Sequence, residues 1–342
     1  MGPFPGWHSV RVLGCFAWSA CAATAVFLGG FVALSHAQQG GWRPERAVEF
    51  VVPTSPGGSI DGTIRLMQRI LQNNRILDVP VVVVNKPGGG GALALRYLDQ
   101  HVADAHYVMI STMSLMTNHI LGRSKVTYSD YTPLAILFSE YMTLVVQPDS
   151  PLKTGRDIQQ RLKADPRSLS IAVGTAIGAT NHLNVALLAK SMGIDVKQLK
   201  TVVFQANADA QTALMGGHID VSSLSAAAAV RAAQEGRLRI LGITADKRGE
   251  GALADIPTWK EQGFDVVFSN TRLLLGAKGL SSAQAEYWDS IIERVVQSAE
   301  WKNDIQKNYA VLDYVGSKQS PQRMAGIHNQ LKEALVDAGL AK

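Results

Sequence analysis

The chain has 342 residues, of which 46% are hydrophobic and 18% are charged. This balance is typical of a globular protein and excludes a disordered chain, and the length suits two domains of ordinary size. The formal net charge is +5, but the 33 Lys and Arg residues are scattered, without the basic run that a nucleic-acid-binding stripe would show.

The first 37 residues differ from the rest and predict an export signal. Arg11 is followed by an apolar stretch over 12–34, and Ser35 and Ala37 then place small residues at the minus-three and minus-one positions of a signal-peptidase site before Gln38. The predicted location is therefore the periplasm. An uncleaved membrane anchor is the alternative interpretation.

Both cysteines, Cys15 and Cys21, lie inside this predicted signal, residues 1–37. The remaining part of the chain contains no cysteine, which excludes disulfides, thiolate metal sites and cysteine nucleophiles from it. A cysteine-free exported protein is compatible with the bacterial periplasm.

Short β-rich runs alternate with helical patterns along the rest of the chain. This alternation predicts an α/β fold with largely parallel sheets. The predicted strands cover 48–52, 81–84, 107–111, 143–147, 170–173, 201–204, 219–224, 239–244 and 266–269. A stripe of Ile64, Met67, Ile70 and Leu71 predicts an amphipathic helix over 61–73.

The first glycine loop, Pro56-Gly57-Gly58-Ser59-Ile60-Asp61, joins a predicted buried strand to a helix. We expect the backbone amides of Gly57, Gly58 and Ser59 to meet an anion there, with Asp61 capping the helix. A side chain at Gly58 is expected to obstruct these amides or to strain a turn that needs positive φ. A tight turn without a ligand is the alternative.

The second glycine loop matches a relaxed dinucleotide-binding fingerprint at Gly89-x-Gly91. That fingerprint also requires an acidic residue at the end of the next strand to hold the ribose, but Ser111 and Thr112 stand there instead. A nucleotide-binding α/β enzyme that uses this loop is the rival hypothesis. Ser111 and Thr112 are themselves candidate hydroxyl donors to a ligand.

A third glycine loop over 171–182 again leads from a strand to a helix start. Gly174 and Thr175 provide a second candidate anion site of backbone amides. Asn181 and His182 follow at the start of the helix, although a lone histidine in such a place is more often a packed residue than a ligand contact.

Motifs of common enzymes are missing from the sequence. It contains no G-x-S-x-G nucleophile elbow, no G-x-x-x-x-G-K-[ST] phosphate loop and no H-E-x-x-H zinc motif. We therefore predict no catalytic residue, no metal site and no cofactor, and a function other than that of an enzyme.

Taken in order along the chain, these motifs resemble the substrate-binding components of tripartite tricarboxylate transporters, also called the Bug family. The first two glycine loops match the family patterns P-G-G-x-x-D and N-[RK]-P-G-x-G-G. The stretches that carry the resemblance are 56–61, 85–91, 174–183, 214–220, 241–248 and 255–258.

The resemblance implies a two-lobed periplasmic binding protein of type II, each lobe a central β-sheet flanked by helices, with the ligand cleft between the lobes. It further implies a small carboxylate ligand, delivery to a two-subunit membrane permease, and a monomer. We assign lobe 1 to 42–146 plus 252–342 and lobe 2 to 147–251. On this interpretation Thr175, Asn181, His182, Gln205 and Asp209 approach the ligand from lobe 2.

The sequence departs from the family at two places. Phe204-Gln205-Ala206 stands where Tyr-Lys-Gly is common, and Thr271-Arg272-Leu273 lacks the tryptophan of a Trp-Arg-Gly stretch. We expect no arginine near either anion site. The departures leave the identity of the carboxylate open, and a periplasmic ligand sensor is a further alternative to transport.

Overall fold

The computed structural model describes residues 41–174, 176–337 and 339–342. The predicted export signal over 1–37 and Thr175 lie outside the described residues. No helix in the described ranges is long and apolar enough to cross a membrane.

Strands and helices alternate through the described chain, as predicted. The strands are β1 (Val48–Val52), β2 (Val81–Asn85), β3 (Tyr107–Thr112), β4 (Thr132–Val146), β5 (Ser170–Gly174), β6 (Lys200–Phe204), β7 (Val221–Ser225), β8 (Arg239–Ile243), β9 (Ser269–Gly276) and β10 (Ala310–Val311). The helices are α1 (Ser59–Asn73), α2 (Ala92–Leu98), α3 (Ser114–Ile120), α4 (Gly155–Ala164), α5 (Thr180–Ser191), α6 (Asn207–Met215), α7 (Ala226–Gln234), α8 (Ser282–Gln297), α9 (Ala299–Lys307) and α10 (Ser320–Asp337).

The strands form a mixed sheet with two halves that share β4. Its order is β2-β1-β3-β9-β4-β7-β5-β6, and β8 and β10 also pair with β4. The part of β4 from Thr132 to Tyr141 pairs with β9, whereas the part from Met142 onward pairs with β7 and β8. The α/β fold with a helix-flanked sheet in each half is as predicted.

The expectation of largely parallel sheets is wrong at the centre. The outer strands are parallel, since β1 pairs with β2 and β3, and β5 pairs with β6 and β7. The central strands β4 and β9 are antiparallel to each other and to their other partners. The reason is topological: β4 carries the chain out of the first half and β9 begins where it returns, so the two strands run in opposite directions.

Two predicted strands differ from the observed ones. The strand predicted over 143–147 is only the end of β4. The earlier part of β4 was not predicted, because Pro133 and the polar pair Ser139-Glu140 interrupt its apolar sequence pattern. The strand predicted over 266–269 is wrong, because β9 starts at Ser269 and continues through Arg272. Polar residues on buried strands hide the apolar signal that identifies a strand.

The core of the first half lies between the sheet and helices α1, α8 and α9. The predicted stripe on α1 is buried, and Met67 packs in one cluster with Phe50, Trp288 and Trp301. The indole Nε1 of Trp288 donates a hydrogen bond to the carbonyl oxygen of Ala105 at 3.0 Å, so this large side chain is buried with its polar group satisfied.

A buried polar joint around Thr244 ties together the two segments in which the chain crosses between the halves. Its backbone amide donates to the Met142 carbonyl at 2.9 Å, and its hydroxyl Oγ1 accepts from the Met142 amide at 2.9 Å. The Phe268 amide donates to the Thr244 carbonyl at 3.0 Å. The outgoing strand β4 and the returning segment are thus tied together at one residue.

Residues just before this return contact the second half. Thr258 forms a parallel bridge with Ile243 at the end of β8, and Gln262 accepts a hydrogen bond from the Gly155 amide at 2.8 Å at the start of α4. The side-chain amide of Gln262 also donates to the Leu241 carbonyl at 2.9 Å.

Candidate ligand-binding site

A cavity of about 510 Å³ lies beyond the carboxyl ends of strands from both halves. Its walls come from the segments that follow β1, β2 and β3 in the first half and β5 and β6 in the second. In open α/β sheets, ligands bind in the crevice outside the carboxyl ends of the strands. The lining residues are Pro53, Thr54, Ile60, Gly89, Gly90, Gly91, Ala92, Leu95, Met109, Ser111, Thr112, Ser114, Leu115, Thr117, Asn118, Arg123, Ser124, Ala176, Ala179 and Gln205.

The first glycine loop lies beside this cavity. Thr54 and Ile60 line it, whereas Gly57, Gly58 and Ser59 between them are solvent-exposed and lie outside the described lining. Gly58 is the N-cap residue of α1 and no side chain caps the helix there, so the amides of the first turn are available to an anion.

The expectation of positive φ at Gly58 is wrong, and Gly57 is the residue with that conformation. Gly57 has φ +86°, whereas Gly58 has φ −78° and ψ 170°, the extended conformation that N-cap residues usually adopt. A Cβ built on Gly58 would meet only the Ser55 carbonyl oxygen, at 3.8 Å. Only a side chain at Gly57 would therefore strain the turn.

Asp61 is buried and holds the first loop from inside. Its carboxylate accepts hydrogen bonds from the Gly57 amide at 2.9 Å, from Asn85 Nδ2 at 2.9 Å and from Arg65 Nε at 2.8 Å. Asn85 Nδ2 also donates to the Thr54 carbonyl at 2.9 Å. Asp61 thus fixes the loop to the end of β2, a larger role than capping the helix start.

Electrostatics keep this carboxylate ionised. Burial by itself would raise the pKa of Asp61, but the hydrogen bonds from Arg65, the Gly57 amide and Asn85 outweigh burial and hold the pKa below its ordinary value. With three donors around it and 1% of its surface exposed, Asp61 supports the loop from behind.

Ser111 and Thr112, the candidate hydroxyl donors, end β3 and line the cavity. Thr112 Oγ1 accepts a hydrogen bond from the Ser114 amide at 3.2 Å, and Ser111 Oγ has only a long contact of 3.4 Å to the Thr112 carbonyl. Thr54 Oγ1 is buried and has no hydrogen-bond partner among the described residues. The hydroxyls of Ser111 and Thr54 therefore have capacity for a ligand.

Asn181 and His182 are buried at the start of α5, outside the described cavity lining. Asn181 Nδ2 donates to the Ser223 carbonyl on β7, and His182 Nδ1 accepts from the Gly178 amide at 3.1 Å. Burial and, to a smaller extent, the nearby Arg123 lower the pKa of His182 to about 4, so the imidazole is neutral. Asn181 thus ties the third glycine loop to β7, and His182 closes a hydrogen bond within that loop.

Of the other residues predicted in the second half, Gln205 lines the cavity and Asp209 does not. Gly174 permits a close approach, because a Cβ there would lie 1.8 Å from Asn207 Oδ1 at the start of α6. Gln205 lines the cavity and its side chain is exposed. Asp209 is exposed on α6 and is not part of the described lining.

The second glycine loop also reaches this cavity. Gly89, Gly90 and Gly91 line it, and Asn118 Nδ2 donates to the Gly90 carbonyl at 3.3 Å. The described lining contains no Asp or Glu, so it provides no carboxylate for a ribose.

Two arginines near the site were missed by sequence reasoning. Arg272 on β9 is 3% exposed, and its Nη2 lies 2.6 Å from Glu140 Oε2 and 3.3 Å from Ser59 Oγ. The expectation of no arginine near either anion site is wrong, because β9 pairs with β3 and places Arg272 opposite Thr112. The second is Arg123, which follows α3 and lines the cavity.

A larger cavity of about 870 Å³ lies elsewhere, beneath α10. Its walls include α10 side chains such as Gln322 and Gln330, together with the returning segment at Phe268 and Ser269. We assign the ligand to the smaller cavity, because that cavity alone combines strand ends and glycine loops of both halves. Among the described residues, no three His, Cys, Asp or Glu side chains are grouped to hold a metal ion.

Comparisons with known proteins agree with the fold. The family model described as "Tripartite tricarboxylate transporter family receptor" matches residues 65–300. The Protein BugT of Bordetella pertussis is 26% identical over 225 residues, which cover 65% of this chain and 67% of that protein.

Two solved structures from Rhodopseudomonas palustris have the same fold. MatC, solved with bound malate, matches with a TM-score of 0.72 and 22% identity over 86% of this chain and 99% of its own. A second protein, solved with adipate, matches with a TM-score of 0.77 and 22% identity over 87% of this chain and 99% of its own. The predicted two-lobed binding-protein fold is confirmed.

Proposed function

The chain belongs to the tripartite tricarboxylate transporter family of receptors, and on this premise we propose that it captures a small carboxylate in the periplasm and delivers it to a two-subunit membrane permease. The proposal includes cleavage of residues 1–37 before Gln38 during export and a monomeric mature protein. Transport and ligand sensing use the same capture step, and the family favours transport.

The observation that supports this function best is the lining of the 510 Å³ cavity. It offers hydroxyls, a side-chain amide and a guanidinium, and the described lining has no carboxylate to repel an anion. Small-molecule sites are typically clefts of roughly 300 to 1,000 Å³ with apolar walls and a few convergent polar groups. The similar proteins that hold malate and adipate support a carboxylate as the ligand.

One acid group of the ligand would lie at the start of α1. That helix has 15 residues and an N-terminus without a side-chain cap, so its first amides and its dipole favour an anion. Thr54 and Ser111 would add hydroxyl donors. Asp61 would position the loop without contacting the ligand.

The second half would contribute Gln205 directly, together with amides of the loop that contains Gly174 and Thr175. Asn181 and His182 would position this loop through their buried hydrogen bonds to Ser223 and Gly178. We do not include Asp209 in this mechanism, since its carboxylate would repel the ligand.

Capture would involve closure of the two lobes about the joint at Thr244. We propose that the first crossing lies within β4 just before Met142, earlier than 146/147, because β4 from Met142 onward pairs with β7 and β8. We propose that the second crossing lies near Phe268, later than 251/252, because Thr258 and Gln262 contact the second half. A ligand that touches both lobes stabilises the closed form by its differential affinity for that form.

A thermal-shift screen of the purified mature protein against small carboxylates tests the function. A ligand at about 100 times its dissociation constant adds roughly 2.7 kcal/mol to the free energy of unfolding, which raises the midpoint by about 4 °C. Adenine and nicotinamide nucleotides belong in the same screen. Shifts with nucleotides alone would contradict the proposal and favour the enzyme that uses Gly89-x-Gly91.

Recovery of the bound ligand tests the absence of turnover. We expect the carboxylate to be released unchanged after long incubation, because the family consists of receptors and the sequence shows no catalytic motif. Product formation above a buffer control would contradict a receptor without enzymatic activity.

A further inference from the structure

Arg123 differs from the rest of the cavity wall by its charge. It is the one charged residue among the described lining residues, and its side chain is exposed. Within the described residues it has no carboxylate within ion-pair distance, in contrast to Arg272, which is paired with Glu140. A guanidinium that faces a cavity without a counter-ion of its own can bind a carboxylate there through charge-assisted hydrogen bonds.

Contacts with the opposite half hold this guanidinium in place. Arg123 Nη1 donates a hydrogen bond to the Ile177 carbonyl in the loop between β5 and α5. A Cβ built on Gly178 would lie 2.2 Å from Leu121 Cδ1, so the two loops interlock beside the arginine. Nε and Nη2 of Arg123 make no hydrogen bond to another described residue, which leaves one edge of the fork for a bidentate partner.

The cavity also supplies an apolar wall. Leu95, Met109 and Leu115 are buried and line it together with the hydroxyl group of Ser111 and the guanidinium of Arg123. Polar groups that bind acid oxygens thus share one cavity with an apolar surface that suits a hydrocarbon spacer.

We propose that Arg123 binds the second acid group of a dicarboxylate and is the residue that selects diacids over monoacids of the same length. The inference rests on the proposed function, since the first acid group is placed at the α1 loop. The ligand class is an aliphatic dicarboxylate whose spacer lies on the apolar wall. Arg123 contacts ligand and opposite loop together, so it also couples recognition of the second acid group to closure.

The test compares matched acids that differ only in the second carboxyl group. Calorimetric affinities of succinate against butanoate and of adipate against hexanoate would be measured for the wild type, Arg123→Gln and Arg123→Lys. Arg156→Gln is the matched control, because Arg156 is exposed on α4 and lies outside the described lining.

Arg123→Gln should weaken binding of the diacid more than tenfold and binding of the monoacid less than twofold. Arg123→Lys keeps the charge but not the fork and should retain part of the diacid preference, and the control should match the wild type. Equal losses for diacid and monoacid would show that Arg123 only holds the loops together, and unchanged diacid affinity would show that it does not read the ligand. Either result would overturn the inference.

The affinities of the wild-type protein for monoacids and diacids distinguish a failure of this inference from a failure of the proposed function. Binding of monoacids in preference to diacids would overturn the role of Arg123 while leaving a carboxylate receptor. Absence of binding to every carboxylate, with intact folding, would overturn the proposed function itself.

Discussion

Replacement of Asp61 by alanine should destabilise the protein more than the loss of an ordinary helix cap. The substitution removes the acceptor for the Gly57 amide, Asn85 Nδ2 and Arg65 Nε. Arg65 is about half exposed and regains water, and Asn85 keeps its bond to the Thr54 carbonyl. The main cost is therefore that the Gly57 amide and one of the two N–H groups of Asn85 Nδ2, both in part-buried hydrogen bonds, lose their acceptor, at about 1–3 kcal/mol each.

We expect a loss of about 3 kcal/mol in the free energy of unfolding, equivalent to roughly 5 °C in Tm. Ligand affinity should fall as well, because the Gly57 turn loses its anchor. Asp157→Ala provides a matched control: that carboxylate also accepts backbone amides at a helix start, but in a partly exposed capping box, and its loss should cost about 1 kcal/mol.

Denaturant midpoints of both variants, with calorimetric affinities for the same carboxylate, measure this difference. In the wild type, the contribution of the Asp61 charge is present above the ordinary carboxyl pKa and is lost as pH falls through the lower folded pKa. Asp61→Ala should therefore lose stability less steeply in acid. An Asp61→Ala protein no less stable than Asp157→Ala would refute the role of Asp61 as an anchor.

Three further predictions concern other parts of the chain. Gly57→Ala should cost about 1–2 kcal/mol of folding stability because φ is +86°. Gly58→Ala should change it by less than about 1 kcal/mol, because the reduced entropy of the unfolded chain and the weaker N-cap preference of alanine oppose each other, and equal denaturation midpoints of the two variants would contradict this. The pKa of His182 is about 4 when folded and near 6.5 when unfolded, so the unfolded chain binds more protons between these values. Stability should consequently fall by about 3 kcal/mol from pH 6.5 to 4, and His182→Asn, which keeps an acceptor for the Gly178 amide, should flatten this slope in denaturation curves. Mass spectrometry of protein released from the periplasm should show Gln38 as the first residue, and an intact N-terminus in the membrane fraction would favour the anchor.

Apolar periodicity predicted most of the fold. The strands that are apolar throughout lie where the sequence placed them, and the stripe from Ile64 to Leu71 predicted α1. The central strands β4 and β9 were predicted poorly because they carry polar groups that pair only after folding. Glu140 and Arg272 are 132 residues apart and form one buried pair, which no local pattern indicates.

In the candidate site, too, the features set by local sequence could be predicted and those set by long-range contacts could not. Ser111 and Thr112 end β3 and Gln205 directly follows β6, so their position at the cavity could be predicted, because strand ends of an α/β sheet meet at one edge. Asn181 and His182 carry ligand-like chemistry, but their side chains are turned into the second half, and only the packing around α5 reveals this. Arg123 gave no signal, since its role depends on the contact of its loop with Ile177 on the opposite half.

The central claim is that a carboxylate is captured in the cavity between the strand ends of the two halves. A crystal structure with the tightest-binding carboxylate tests it most directly. We expect an acid group within about 3.2 Å of hydrogen-bond donors at the α1 start or at Ser111, with Gln205 closing on the ligand from the second half. A carboxylate bound instead in the larger cavity beneath α10, with the strand-end cavity unoccupied, would contradict it.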